Sequence, residues 1–189
     1  MAVRKLGNLT LLALADGQGG SAGGALAARL VTQTVLDVLE STSGVRDVDT
    51  LRLAVSVADE AVEAEDEAGY TTLIVIGVEA NQVIGASVGD SQIWHIGESG
   101  VVELSERQRK NLPLGSGAAL GTPFRVTVQE GEQILLMSDG VFRWVCIEDL
   151  IQTCRKEDDN SVLACLLAHQ QPDSDGCLPD DWSAVLLRF

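Results

Sequence analysis

The stretch NLTLLALADGQGG, residues 8–20, decides the fold because it joins a buried strand to a flexible turn and a helix. Residues 8–15 form a nearly continuous apolar run, which is typical of a strand that is buried on both faces. The run ends at Asp16, and the residues after it are mostly glycine and other small residues. We expect Ser21 to cap a helix that continues to about residue 39.

In the remainder of the chain, the spacing of apolar residues is first that of a helix and then that of strands. Apolar residues recur at helical spacing over residues 50–67, with Thr50 as the expected cap and an acidic last turn. From Thr71 the period is that of strands, and the turns between them predict an antiparallel meander of hairpins. Residues 105–122 are polar and glycine-rich, which indicates a surface loop or flap. The predicted strands cover 71–79, 83–88, 91–96, 101–104, 124–128, 133–137 and 182–189, with two helical stretches over 147–169.

Length and charge narrow the class of protein. The chain has 189 residues, which predicts a single domain over 1–189. Its 13 Lys and Arg against 28 Asp and Glu give a net charge of −15. This acidity argues against nucleic acid and anionic membrane partners, which attract basic surfaces. We find no apolar run of the roughly 20 residues that span a bilayer and no secretion signal, and the four cysteines lack metal-finger spacing. We therefore expect a cytoplasmic protein.

Three aspartates share a position relative to the predicted strands. Asp16 directly follows a buried strand, Asp139 follows the strand 133–137, and Asp180 comes just before the last strand. A carboxylate at a strand end is held by a rigid element while its oxygens face a cleft, which suits a hard cation. Any one of these Asp residues, taken singly, is more typical of a turn. The prediction of a cation site therefore rests on the three of them occurring together.

Five motifs in order along the chain resemble those of a known family. They are Ala15-Asp16-Gly17-Gln18-Gly19-Gly20, Gly69-Tyr70-Thr71-Thr72, Val88-Gly89-Asp90-Ser91-Gln92, Ser138-Asp139-Gly140 and Asp180-Asp181-Trp182-Ser183. Together they resemble the signatures of the metal-dependent protein serine/threonine phosphatases, the type 2C or PPM family, in a compact bacterial-type form. The resemblance implies an α+β fold, a four-layer α-β-β-α sandwich of two antiparallel sheets flanked by helices. It also implies hydrolysis of phosphoserine and phosphothreonine in proteins that act in signal transduction.

The same resemblance implies a metal site and its ligands. Asp16, Asp139 and Asp180 would be the catalytic residues and bind one Mn²⁺ or Mg²⁺, and Asp16 with the Gly17 carbonyl would reach a second ion. Asp90 and Asp139 would offer a third position. Oxygen ligands select such hard divalent ions. Two ions would lower the pKa of a water that attacks phosphorus directly.

The N-terminus departs from the family pattern, which has a further strand carrying a phosphate-binding Arg and an acidic segment. Residues 1–14 contain no acidic side chain, so we predict weak or absent occupancy of the second metal position. Another cation would have to bind phosphate. Candidates are Arg4, Lys5, Arg29, Arg109 and Lys110, each of which also suits a solvated surface; Arg109 and Lys110 are favoured because they lie in the flap-like loop.

Three hypotheses follow. The first is an active metal-dependent phosphatase, whose partner is a phosphorylated protein substrate. The second is a catalytically weak or inactive phosphatase-like domain that binds a phosphoprotein or a regulatory partner. The third is that a partner chain supplies a strand at the N-terminal edge. His95 could act as a general acid, although a sheet histidine with a satisfied hydrogen bond is the better interpretation.

Overall fold

The computed structural model describes residues 1–18, 23–45, 47–106, 112–143, 145–155, 159–169 and 181–189. The strands in these ranges are β1 (Ala2–Leu6), β2 (Leu9–Leu14), β3 (Leu73–Glu79), β4 (Gln82–Val88), β5 (Gln92–Gly97), β6 (Gly100–Glu103), β7 (Thr122–Thr127), β8 (Gln133–Met137) and β9 (Ala184–Arg188). The helices are α1 (Gly24–Ser41), α2 (Val48–Glu63), α3 (Asp139–Phe142), α4 (Ile147–Cys154) and α5 (Asp159–His169). None of the described helices is long and apolar enough to cross a membrane.

The strands form two antiparallel sheets. The first has the order β1-β2-β3-β4-β7 and the second has the order β6-β5-β8-β9. The predicted hairpins β3–β4 and β5–β6 are both present, but they belong to different sheets. The chain crosses from the first sheet to the second between β4 and β5, through residues 89–91.

Three apolar layers hold the sheets and helices together. Side chains of α1 and α2 pack on the first sheet, and α3, α4 and α5 pack on the second. Between the sheets lies a third layer that includes Leu12, Ile74, Ile93 and Leu136. The predicted four-layer α-β-β-α sandwich is therefore confirmed.

The burial of strand β2 explains the nearly continuous apolar run in its sequence. Leu11 and Ala13 belong to the layer under the helices, whereas Leu12 and Leu14 belong to the layer between the sheets. All four are at most 4% exposed. A strand covered on both faces has no polar side, so it loses the alternation that marks a half-exposed strand.

Strand β1 was not predicted from the sequence. It forms the edge of the first sheet and pairs with β2 after a turn in which Gly7 has φ of +61°. Its Arg4 contacts Asp37 at 2.9 Å and Glu40 at 2.8 Å, both on α1. Arg4 therefore forms its described ion pairs with α1, and these contacts do not support its predicted role in phosphate binding.

The start of α2 also differs from the prediction. The helix begins at Val48, and its cap is Asp47, whose carboxylate accepts the backbone N–H of Thr50 at 2.8 Å. The predicted Thr50 cap is wrong because Asp47 is the stronger acceptor three residues before that N–H. The helix ends at Glu63, so most of the acidic stretch that follows lies outside it. The Ser21 cap predicted for α1 lies outside the described residues.

Candidate metal and phosphate site

The predicted site residues follow strands that end on the same side of both sheets. The register pairs Leu14 with Ile74, Leu73 with Val88, and Gln92 with Met137. The ends of β2, β4 and β8 and the starts of β3 and β5 therefore meet at one end of the sandwich. Asp16, Asp90 and Asp139 follow β2, β4 and β8 respectively. The structure thus brings three of the four predicted carboxylate residues to one end of the fold.

Asp16 is fixed through its backbone by the start of β3. Its carbonyl accepts the Thr72 N–H at 2.9 Å and the Thr71 hydroxyl at 2.8 Å. Its own N–H donates to the Thr72 hydroxyl at 3.1 Å. The next residue, Gly17, lies so close to the Gly24 carbonyl that a Cβ would collide with it. This stretch of backbone is therefore held in place, and a larger residue at position 17 is excluded.

The turn that carries Asp90 is joined to the same region. The hydroxyls of Thr72 and Ser91 are 2.7 Å apart, and Ser91 is fully buried. Gly89 has φ of +90°, and a Cβ there would lie 2.7 Å from the Thr72 methyl group. Thr72 therefore connects the backbone of Asp16 with the turn of Asp90, which crosses between the sheets.

Asp139 is the first residue of the short helix α3 and is placed by the end of β8. The preceding Ser138 donates its backbone N–H to the Ser183 carbonyl, and its hydroxyl accepts the Ser183 N–H, both at 2.9 Å. These bonds hold the start of α3 against the segment that leads into β9. The predicted ligand Asp180 lies outside the described residues.

The structure adds Arg143, which sequence reasoning missed. Its guanidinium contacts the Asp139 carboxylate at 3.0 Å and the Asp90 carboxylate at 3.6 Å. An Asp-Gly pair taken singly is typical of a turn, whereas at residues 139–140 the chain continues into α3. Helical spacing of four residues between Asp139 and Arg143 is the signal that could have found this pair.

Of the predicted phosphate-binding cations that remain, only Lys5 and Arg29 are among the described residues, and neither is seen in an ion pair with these carboxylates. Lys5 lies on the edge strand β1, and Arg29 is exposed on α1. Arg109 and Lys110 lie outside the described residues. Among the described residues, Arg143 is the cation that contacts two of the predicted site carboxylates.

The donor chemistry of this end of the fold suits a hard divalent ion. The described candidate ligands are carboxylate and carbonyl oxygens, without sulfur or imidazole. One guanidinium, that of Arg143, reaches both the Asp90 carboxylate and the Asp139 carboxylate, at 3.6 and 3.0 Å. Within the described part of the chain, no three Asp, Glu, His or Cys side chains yet converge closely enough to hold a metal. The chemical types of these residues therefore suit a metal ion, and in this structure the Arg143 guanidinium supplies the positive charge at Asp90 and Asp139.

A loop beside Thr71 is anchored by a buried carboxylate. Leu114 and Thr71 exchange backbone hydrogen bonds at 3.0 and 3.2 Å, and Thr71 also bridges to Gly17. Asp59 of α2 is 3% exposed and accepts the N–H groups of Gly115 and Ala119 at 2.6 and 2.8 Å. The predicted flap has no helix or named strand over residues 112–121, yet this part of it is fastened to the fold.

His95 lies in the middle of β5, away from the strand ends. Its Nε2 is 2.8 Å from the Glu132 carboxylate, and both side chains are 17% exposed. The histidine therefore has its hydrogen-bond partner directly before the neighbouring strand β8, in line with the preferred interpretation of a sheet histidine with a satisfied hydrogen bond.

Comparison with known proteins places the chain in a family. The family model described as protein phosphatase 2C matches residues 1–168. The chain therefore belongs to the protein phosphatase 2C family, as the five motifs predicted. No curated protein sequence matches it.

Solved structures share the fold at low sequence identity. PstP/Ppp, a serine/threonine phosphatase of Mycobacterium tuberculosis, has a TM-score of 0.74 and 21% identity over 100% of this chain and 92% of its own. PppA, described as a key regulatory component of the T6SS in Pseudomonas aeruginosa, has a TM-score of 0.72 and 21% identity, covering 96% of this chain and 86% of its own. A PstP catalytic domain in complex with two manganese ions has a TM-score of 0.72 and 20% identity over 98% and 89% of the two chains.

Proposed function

We propose that this chain is a metal-dependent protein phosphatase that hydrolyses phosphoserine and phosphothreonine in protein substrates. The observation that carries the proposal is the meeting of Asp16, Asp90 and Asp139 at one end of the sandwich. Membership of the protein phosphatase 2C family supports the same reaction. Phosphorylated proteins are the substrate class that this family name implies.

The residues at the strand ends have distinct proposed roles. Asp16, Asp139 and Asp180 would hold one Mn²⁺ or Mg²⁺, the Gly17 carbonyl would help Asp16 to reach a second ion, and Asp90 would share a third position with Asp139. A divalent ion supplies the Lewis acidity that lets water act as a nucleophile at neutral pH. The manganese-bound structural relative supports this class of cofactor. Thr71 and Thr72 hold the backbone of Asp16 in place for this task.

A second candidate function is a phosphatase-like domain with little or no turnover that binds a phosphoprotein. The position of Arg143 favours it, because a guanidinium on Asp90 and Asp139 opposes entry of another cation. The weak second metal position expected from the sequence points the same way. A strand donated by a partner chain, in contrast, gains no support, since β1 of this chain already forms the edge of the first sheet.

The test is hydrolysis of an aryl phosphate and of a phosphothreonine peptide while Mn²⁺ is titrated, in wild type and Asp139→Asn. We expect metal-dependent turnover in wild type and a loss of more than about 100-fold in the variant, because even outer partners of metal ligands contribute about 10–100-fold. Asp49→Asn is the matched control, since Asp49 is 86% exposed in the first turn of α2. Calorimetry with Mn²⁺ alone gives the number of sites.

The outcomes separate the two functions. Turnover that is lost in Asp139→Asn and kept in Asp49→Asn supports the phosphatase. Absence of turnover in wild type up to millimolar Mn²⁺, with one ion still detected by calorimetry, favours the binding domain. If no divalent ion binds at all, both metal-dependent proposals are wrong.

A further inference from the structure

Arg143 is tied to Asp139 by local geometry. It follows the four residues of α3, and its N–H donates to the Asp139 carbonyl at 3.1 Å. Residues four apart on one helical turn present their side chains on the same face. The ion pair between Nη1 of Arg143 and the Asp139 carboxylate therefore follows from the helix itself.

The guanidinium of Arg143 also has capacity for another ligand. Its Nη1 and Nη2 contact Asp139 and Asp90, and the side chain is 55% exposed. A guanidinium carries five N–H donors in a planar fork, which matches the oxygens of a phosphate. Since Asp90 is itself 56% exposed, the contact at 3.6 Å is open to solvent and easily exchanged.

The strongly negative net charge of the chain makes the position of the Arg143 side chain relevant to phosphate binding. The chain has a net charge of −15, which repels a phosphate dianion. Several other described arginines are committed elsewhere: Arg4 contacts α1, Arg155 donates to the Gly97 carbonyl, and Arg188 donates to the Cys154 carbonyl. Arg143 places positive charge directly at the carboxylates of the candidate site.

We propose that Arg143 is the phosphate-binding residue of this site. The inference rests on the proposed function, since it concerns the phosphate group of that substrate. The guanidinium pairs with the carboxylates of Asp90 and Asp139. A divalent ion held by these carboxylates would supply their counter-charge and would leave the guanidinium to bind two phosphate oxygens. Arg143 therefore orients the phosphate beside the carboxylates, and it competes with the metal when substrate is absent.

The experiment measures binding without requiring catalysis. Phenylphosphonate, a phosphomonoester analogue that resists hydrolysis, is titrated by calorimetry into wild type, Arg143→Gln and Arg143→Lys with saturating Mg²⁺. Mn²⁺ affinity is measured separately without phosphonate, and KM and kcat are determined for an aryl phosphate. Arg52→Gln is the matched control because Arg52 forms an exposed pair with Asp49 at 3.2 Å, on α2.

We expect Arg143→Gln to weaken phenylphosphonate binding by about 10- to 100-fold, the usual effect of losing hydrogen bonds to a charged group. Arg143→Lys should weaken phenylphosphonate binding less than Arg143→Gln does, because lysine keeps the positive charge but lacks the planar N–H fork of a guanidinium. KM rises more than kcat falls, and Mn²⁺ binds Arg143→Gln at least as tightly as wild type. Arg52→Gln leaves all these quantities unchanged.

Other results overturn the proposal. Equal phosphonate affinity in wild type and Arg143→Gln contradicts it, even when Mn²⁺ binding becomes tighter, because Arg143 is then only a counter-ion. Wild type that binds no phosphonate contradicts it as well. Phosphonate binding that depends on Arg143 in a protein without turnover supports this proposal and rejects the proposed catalytic function.

Discussion

The carboxylate of Asp59 accepts the backbone N–H of Gly115 at 2.6 Å and, through its other oxygen, that of Ala119 at 2.8 Å. A buried carboxylate on α2 thus holds two points of the loop over residues 112–121. The backbone N–H groups of Gly115 and Ala119 both donate, so a side chain with two acceptor oxygens suits them. The amide of an Asn at position 59 would instead place its NH₂ group, which is a donor, opposite one of these N–H groups.

Replacing Asp59 therefore tests how the loop is attached. We expect Asp59→Asn to lower the free energy of unfolding by about 1–3 kcal/mol, because one buried N–H loses its acceptor. Urea unfolding measures the loss, and amide hydrogen exchange at Gly115 and Ala119 should accelerate. Glu60→Gln, exposed on the same helix, is the control. Equal stability of Asp59→Asn and wild type would contradict the anchoring role.

The Thr72 hydroxyl is expected to couple two parts of the site. Thr72→Val preserves the shape but removes the partner of the Asp16 N–H and of the Ser91 hydroxyl, so stability should fall by about 1 kcal/mol or more. Thr72→Ser, which keeps the hydroxyl, should lose less. A double-mutant cycle of Thr72→Val with Ser91→Ala should give a coupling energy above about 0.5 kcal/mol. Strict additivity would show that the two hydroxyls do not act together.

Acid stability should depend on Glu132. The Gln129 backbone N–H and then the hydrogen bond from His95 hold the pKa of Glu132 below its ordinary 4.5. A lowered pKa stabilises the fold above the ordinary value, and this contribution is lost as the pH falls through the folded pKa. Wild type should therefore lose more stability than Glu132→Gln between about pH 6 and about pH 3, measured by urea midpoints. The exposed neighbour Glu130→Gln should behave like wild type.

Cysteine reactivity should follow burial. Burial raises the pKa of the Cys154 thiol to about 11, with a smaller opposing effect from Arg188. Thiolate is the reactive form, so Cys154 should resist iodoacetamide in the folded protein at neutral pH. Cys146 is exposed and should be alkylated before Cys154. Peptide mass spectrometry after timed alkylation gives the order, and early modification of Cys154 would contradict the buried placement.

Much of the fold could be predicted because the apolar pattern follows burial. Strand β8 occupies the predicted residues 133–137, and β2 lies within the predicted run, since both strands are covered on two faces. Strand β1 escaped prediction because an edge strand with Arg4 and Lys5 carries a weak apolar signal. Its contacts with α1 depend on partners more than 30 residues away, which local periodicity cannot register.

The candidate site could be predicted only in part. Asp16 and Asp139 were predicted from their positions directly after apolar strands, which local sequence determines, whereas Asp90 was predicted only from the resemblance of its motif to the family signature. Asp59 was not singled out from the sequence, because its hydrogen bonds go to a loop more than 50 residues further along the chain. Arg143 was missed because the four-residue helix α3, which brings it to Asp139, was not predicted from the sequence.

The crossing of residues 89–91 from the first sheet to the second affects the spacing of the carboxylates at this end of the fold. Asp16 is fixed to the first sheet and Asp139 to the second, while Asp90 lies on the link between them. The distance between these carboxylates is therefore set by the thickness of the apolar layer that separates the sheets. Ile93 and Leu136, which lie in that layer and carry no charge, act as spacers. Shortening these side chains would change the spacing of the proposed metal ligands from inside the protein, without altering a single charged group.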